Sequence, residues 1–150
     1  AMFRMGGLVA LATALAKSGF IAWIAKLIGT AVAAANMGWI ASFVLISLIY
    51  IYSHYCFASV TARISAMYAA FVAVAAACGV PAMLVAITFG CFANLPISLT
   101  HYGNGCGPVY FGAGYVSQGE WWRNGFIITT INVVIWLTIG MAWWKFIGLY

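Results

Sequence analysis

From residue 64 to residue 100 the chain carries no Asp, Glu, Lys or Arg, a run of 37 residues. In a soluble domain about a quarter of the residues are charged, and nearly every element shows polar groups to water. Here the whole 150-residue chain has six Lys or Arg and a single acid, Glu120, and 67% of it is apolar. That is too little polar surface to cover a water-soluble globule. Disorder is excluded as well, because 17% of the residues are aromatic and disordered chains are poor in them. The composition therefore points to an all-α integral membrane protein.

Length sets the next bound. A spanning helix takes about 20 residues, so at most about five or six crossings fit. The chain opens at Ala1 and enters an apolar stretch at Gly6 without a basic leader or small-residue cleavage site, so no signal peptide is expected. We expect a piece that starts inside a longer protein. The net charge of +5 is thinly spread and forms no basic stripe, which argues against nucleic-acid binding. Cys56, Cys78, Cys91 and Cys106 form no CxxC pair and are expected to be small core hydrophobes rather than a disulfide scaffold.

Along the chain, residues 6–16 are apolar and close at Lys17-Ser18-Gly19, as the end of a helix begun upstream would. Residues 20–36, with Trp23 and Lys26, suit a helix lying at the interface or linking two spans. Residues 37–52 are densely apolar and predict a buried helix. Residues 53–63 then insert hydroxyls, His54 and Arg63 between apolar runs. The uncharged run that follows is broken at Gly79-Val80-Pro81 into pieces of about 15 residues, each short for a crossing. Residues 95–108 hold two Pro, three Gly, Thr100, His101 and Asn104. The clearest span is 126–144, preceded by Trp121, Trp122 and Arg123 and ended by Trp143, Trp144 and Lys145, which are aromatic and cationic interface anchors. Arg123 and Lys145 sit at its opposite ends, so charge does not orient it.

A helix is interrupted at membrane depth only where its freed N–H and C=O groups face protein or a water-filled cavity. Two such interruptions, residues 53–63 and 95–108, flanked by short apolar pieces, are the sequence pattern of a transporter site near the bilayer midplane. Half-helix N-termini attract anions, and Ser59, Thr61, Ser98 and Thr100 add hydroxyls suited to a carboxylate or a small cation. The triplets Ser53-His54-Tyr55 and Thr100-His101-Tyr102 echo each other. Ionisable side chains within a membrane are costly and point to function, although each His also fits an interfacial residue bonded to backbone. Arg63 either meets a substrate or snorkels to a headgroup. Glu120, between Trp and Arg neighbours, reads as an interface residue. With no Asp, one Glu, no G-x-S-x-G and no metal-spaced ligand set, hydrolase and metalloenzyme mechanisms lack their parts.

The run Leu95-Pro96-Ile97-Ser98-Leu99-Thr100-His101-Tyr102-Gly103, followed by Gly107-Pro108-Val109-Tyr110-Phe111-Gly112-Ala113-Gly114-Tyr115-Val116, resembles the signature of the divalent anion:sodium symporter family. It is most similar to the branch of citrate/succinate antiporters and 2-oxoglutarate/malate translocators. Residues 50–67 resemble that branch's second hairpin tip, and residues 119–149 its last helix. The resemblance implies the C-terminal part of an inverted-repeat, elevator-type transporter with a re-entrant hairpin and a broken helix. Residues 1–36 would then end one membrane helix and add a linking helix of the scaffold. Residues 37–118 would form the hairpin and broken helix of the transport part, and residues 119–150 the last transmembrane helix.

The same resemblance implies secondary transport of di- or tricarboxylates (citrate, 2-oxoglutarate, malate, succinate) by a lipid-embedded homodimer in a bacterial or organelle inner membrane. The other half of the site would lie in a missing N-terminal part. Ser59, Thr61, Thr100 and His101 are the expected substrate contacts, with Ser53, His54, Arg63, Asn104 and Pro108 in support. No cofactor is expected, and sodium is the candidate coupling ion. Yet the hairpin tip reads Phe57-Ala58-Ser59-Val60-Thr61 where much of the family has Ser-Asn-Thr. Ala113 stands where Ser is common, and Thr100-His101-Tyr102 replaces Thr-Pro-Pro. Fewer oxygen ligands and added cationic side chains leave antiport and sodium symport both open, with a fixed cation such as Arg63 or His101 favouring exchange. The rival classes are an accessory or structural membrane subunit and a small membrane enzyme using His54 and His101.

Overall fold

The computed structural model describes residues 17–34 and 38–150, together with Ala10 and Ala14. The segment expected at 6–16 otherwise lies outside the described residues, as do Asn36 and Met37 of the next two. Every regular element described is helical: α1 (Phe20–Ala34), α2 (Trp39–Tyr52), α3 (Val60–Ala77), α4 (Ala82–Phe92), the short α5 (Gly107–Gly112), α6 (Gln118–Ile135) and α7 (Met141–Phe146). A 3-10 turn, Ser53–Cys56, follows α2, and another, Leu95–Ser98, follows α4. A π-helical turn, Trp136–Gly140, joins α6 to α7 without a break.

Three stretches are long and apolar enough to cross a membrane: Trp39–Cys56, Val60–Ala77 and Gln118–Phe146, the last 29 residues long. At 1.5 Å per residue that last helix runs about 43 Å, longer than the hydrocarbon core. Its start comes earlier than the uncharged run predicts because Ser117 and Glu120 form a reciprocal capping box, which satisfies two of the free N–H groups of the first turn. Glu120, the chain's one acid, is thus a capping residue.

The polar stretch at 53–63 is shorter in structure than in sequence. α3 begins at Val60, so Thr61 and Arg63 lie in its first turns, and the piece following the break is a full 18 residues rather than a short one. Arg63 is compatible with that helix because its side chain points inward and is fully buried. The break at Gly79-Val80-Pro81 forms as expected. Gly79 takes φ +82°, and the Val80 N–H bonds back to the Ala75 carbonyl at 3.2 Å, a Schellman-type closure that needs a residue tolerant of the left-handed region. Pro81 then opens α4.

α1 and α4 both pack on α3, and α2 packs on α3 and α4. The core between them is aromatic: Tyr50 stacks on Phe89 at 4.7 Å, and Phe43 and Phe71 lie beside this pair. The long C-terminal helix joins at Trp136, edge-on to Phe92 at 6.2 Å. Higher up, Gly125 of α6 presses on the backbone of the Leu95–Ser98 turn, where a Cβ would overlap the Ser98 carbonyl oxygen and come within 2.9 Å of its carbon. Ser98 and Thr129 Oγ atoms, 3.3 Å apart, close the same contact.

Gly125→Ala should therefore push α6 off the turn and destabilise the protein by about 1–3 kcal/mol, the usual cost of overpacking. Thermal unfolding of the purified full-length variant reads this directly; an unchanged midpoint would mean that the close approach is not obligatory.

Candidate functional site

The two interruptions found in the sequence meet. Gly103, in the second, accepts a bond from the Val60 N–H at the start of α3, 3.1 Å. The Tyr102 hydroxyl donates to the Tyr55 carbonyl at 2.9 Å. The loop after α4 thereby caps the helix that follows the break after α2. Gly103 is required at this crossing: a Cβ would collide with His54 Nε2 and lie 2.6 Å from Thr100 Oγ1. His54, Gly103 and Thr100 thus face one point, although the sequence separates the first from the others by more than 40 residues.

The expected substrate contacts fall into two settings. Ser59 is the N-cap of α3 in extended backbone, half-buried, and its hydroxyl makes no capping bond. Thr61, two residues on, is exposed. Together they dress a helix N-terminus whose first N–H is taken by the Gly103 carbonyl. On the other side Thr100 is fully buried and its Oγ1 has no hydrogen-bond partner among the described residues. His101 is half-buried and accepts at Nδ1 from Trp122 Nε1, 3.3 Å, which leaves the neutral ring's proton on Nε2. Its ring stacks on Phe111 at 4.3 Å and meets Tyr102 edge-on at 5.1 Å.

The supporting residues divide further. Asn104 shapes the second loop: its Oδ1 accepts from the Cys106 and Gly107 N–H groups and its Nδ2 donates to the Ile97 carbonyl. Pro108 sits in the first turn of α5, where a missing N–H costs nothing. Ser53 bonds back to the Tyr50 carbonyl at 2.7 Å and ends α2. His54 is not the interfacial, backbone-bonded residue that one sequence reading allowed; it is fully buried and both its nitrogens lack partners among the described residues. Arg63 does not snorkel, being fully buried and bonded to three backbone carbonyls.

Two further corrections concern residues outside the expected set. Trp122, expected as an interface anchor, turns inward against His101, Tyr55 and Tyr102 and forms one wall of the meeting point. All four cysteines are free; Cys56, Cys91 and Cys106 are exposed and not core hydrophobes, whereas Cys78 is half-buried and packs against the core, as expected. Cys56 and Cys106 lie in the interruptions themselves, and Cys91 lies on the outer side of α4.

Elsewhere, a cavity of about 470 Å³ between α1 and α3 is lined by Ala22, Ala25, Lys26, Gly29, Thr30 and small residues of α3. Its walls are almost wholly apolar and it offers an anion one lysine, so the hydroxyls and imidazoles of the meeting point are the better candidate site. Among the described residues no group of three or more His, Cys, Asp or Glu is placed to hold a metal ion.

Comparison with known proteins agrees with the helical, membrane-embedded architecture. The family model for the sodium:sulfate symporter transmembrane region matches residues 1–150. Dicarboxylate transporter 1 of spinach chloroplasts is 46% identical over 143 residues, covering 95% of this chain and 25% of that protein. Its Arabidopsis thaliana counterpart is 43% identical over the same share of this chain. A candidate malate transporter of Bacillus subtilis is 46% identical, covering 95% of this chain and 30% of its own length. The chain thus spans between a quarter and a third of the curated relatives it matches. With the family model covering every residue, the chain belongs to the sodium:sulfate symporter family of membrane transporters, the divalent anion:sodium symporters whose signature residues 95–116 resemble.

Proposed function

We propose that this chain is the C-terminal part of a secondary transporter for dicarboxylate anions of the malate and 2-oxoglutarate class, with citrate and succinate as related substrates. It works in a bacterial or organelle inner membrane by alternating access. The observation that carries the reading is the meeting of the two interruptions at 53–59 and 95–106. There the N-terminus of α3, with Ser59 and Thr61, is tied through the Val60 N–H to Gly103, in the loop that carries Thr100 and His101. An N-terminal helix dipole and hydroxyl donors suit one carboxylate, and the Nε2 donor of His101 with the Thr100 hydroxyl suits a second. The names of the plant and bacterial relatives support the same substrate class. In this reading residues 37–118 move as the transport part, carrying a re-entrant hairpin and a broken helix in an elevator-like shift. Residues 1–36 belong to the scaffold, residues 119–150 supply the last helix, and the missing N-terminal part supplies the other half of the site within a homodimer.

Exchange is the coupling mode that the chemistry favours. A sodium ion needs several oxygen ligands, and several of the oxygens in and beside the interruptions are already engaged. The carbonyls of Tyr50, Phe92 and Ala93 bind Arg63, that of Gly103 binds the Val60 N–H, that of Tyr55 binds the Tyr102 hydroxyl, and the Asn104 amide oxygen is held by two N–H groups. A carrier whose substrate is held by donors and an imidazole is left with unpaired buried polar groups when empty, which makes the empty return step costly.

Two experiments on the full-length protein test this. In reconstituted vesicles, malate uptake should require internal dicarboxylate and ignore a sodium gradient. Sodium-driven uptake into empty vesicles would overturn exchange. Thr100→Ala and His101→Ala should each weaken malate affinity roughly ten- to hundredfold, the worth of a hydrogen bond to a charged group, while assembly and membrane yield stay normal. Normal transport with failed assembly would instead mark the chain as an accessory subunit.

A further inference from the structure

Arg63 is the largest fully buried side chain described, yet no carboxylate offsets it. The chain's single acid, Glu120, is exposed and bound to Ser117. A charge enclosed in this way is tolerated only if other groups take the place of water. Here they are backbone carbonyls. Arg63 Nη1 donates to the Tyr50 oxygen at 2.8 Å, and Nη2 donates to those of Phe92 and Ala93 at 3.2 and 2.6 Å. The guanidinium also lies 4.6 Å from the centre of the Tyr50 ring, a cation–π contact.

The placement of those three carbonyls matters more than their number. Tyr50 is in the last turn of α2, which ends at Tyr52. Phe92 is the last residue of α4 and Ala93 its C-cap. The last turns of a helix leave carbonyls without intrahelical partners, and together they carry about half a negative charge. Arg63 is therefore held between two helix C-termini, the points from which the two interruptions depart. Its own backbone is four residues past Ser59, in the helix that the first interruption feeds. One planar fork thus ties together the end of α2, the end of α4 and the start of α3.

We infer that Arg63 is a positioning residue for substrate recognition: by tying these three helix ends it sets the spacing between Ser59 on one interruption and Thr100 and His101 on the other. With both terminal nitrogens committed to backbone carbonyls, it touches no substrate itself. The inference rests on the carboxylate reading above, since a dicarboxylate bridging the two interruptions depends on their spacing, whereas a monocarboxylate held by one does not. Lysine keeps the charge but lacks the rigid fork that reaches two helix ends at once.

The test uses the full-length protein reconstituted in vesicles, comparing wild type with Arg63→Lys and Arg63→Met for malate exchange and for inhibition by acetate. We expect Arg63→Lys to fold, to raise the malate KM roughly ten- to hundredfold, and to leave turnover at saturating malate within about threefold of wild type. The inhibition constant for acetate should stay unchanged, and Arg63→Met should shift KM at least as far. An unchanged malate KM in a folded variant overturns the inference, as does a fall in turnover with KM unmoved or an equal loss for both anions. If neither variant folds, Arg63 is structural only and the inference falls. A wild-type protein that exchanges no dicarboxylate at all removes the underlying reading, and that outcome is distinct because it appears before any substitution is made.

Discussion

A guanidinium enclosed in an apolar chain has to find acceptors, and in a chain with one acid the acceptors must be backbone. That constraint organises much of the rest. A carbonyl inside a helix is already bonded to an N–H four residues on and keeps only its second lone pair for a side chain, as the Ala86 carbonyl does for the Tyr68 hydroxyl. Helix ends have carbonyls without helical partners, and a buried Arg63 draws two helix ends to itself. Ending α2 and α4 with carbonyls that lack helical partners and burying an arginine would each be costly alone. Together each satisfies what the other leaves open.

With the helix ends gathered, the loops that leave them have little choice but to meet. Gly103 accepts from the first N–H of α3, and Tyr102 ties down Tyr55. α6 then closes over the pair, with Gly125 against the Leu95–Ser98 turn, the Tyr52 hydroxyl 2.7 Å from Thr130 Oγ1, and Trp122 against His101. Among the described residues, three of the buried polar atoms left without partners, His54 Nδ1 and Nε2 and Thr100 Oγ1, lie where the two loops cross; the others are Ser47 Oγ, Tyr50 Oη and Arg63 Nε on α2 and α3. For a protein whose family moves anions through membranes, donors concentrated at one crossing point make a physically coherent site, whereas the apolar cavity beside α1 does not.

Much of this was legible from charge spacing alone. The uncharged runs located the helices, and Gly79-Val80-Pro81 and the Pro/Gly cluster at 95–108 located the breaks, because broken backbone and polar side chains survive at membrane depth only against protein or a water-filled cavity. Hydropathy misjudged details wherever a single contact overrode it. Arg63 looked like the end of a polar loop but lies inside α3, since an inward-facing arginine with carbonyl partners does not stop a helix. The uncharged run begins only at residue 126, but the last helix starts at Gln118, one residue from the bound that the family resemblance implied, because Ser117 and Glu120 cap it. The encounter of His54 with Gly103 and Thr100 was out of reach, because it depends on tertiary closure that no local pattern encodes. The inward turn of Trp122 was hidden for the same reason.

The central claim is that the crossing of the two interruptions holds the anion. The most direct measurement is a structure of the full-length transporter with malate bound. One malate carboxylate should lie within hydrogen-bond distance of Ser59 Oγ or the α3 N-terminus, and the other within reach of Thr100 or His101. Malate seated between α1 and α3 beside Lys26, or anywhere that leaves both interruptions untouched, would contradict it.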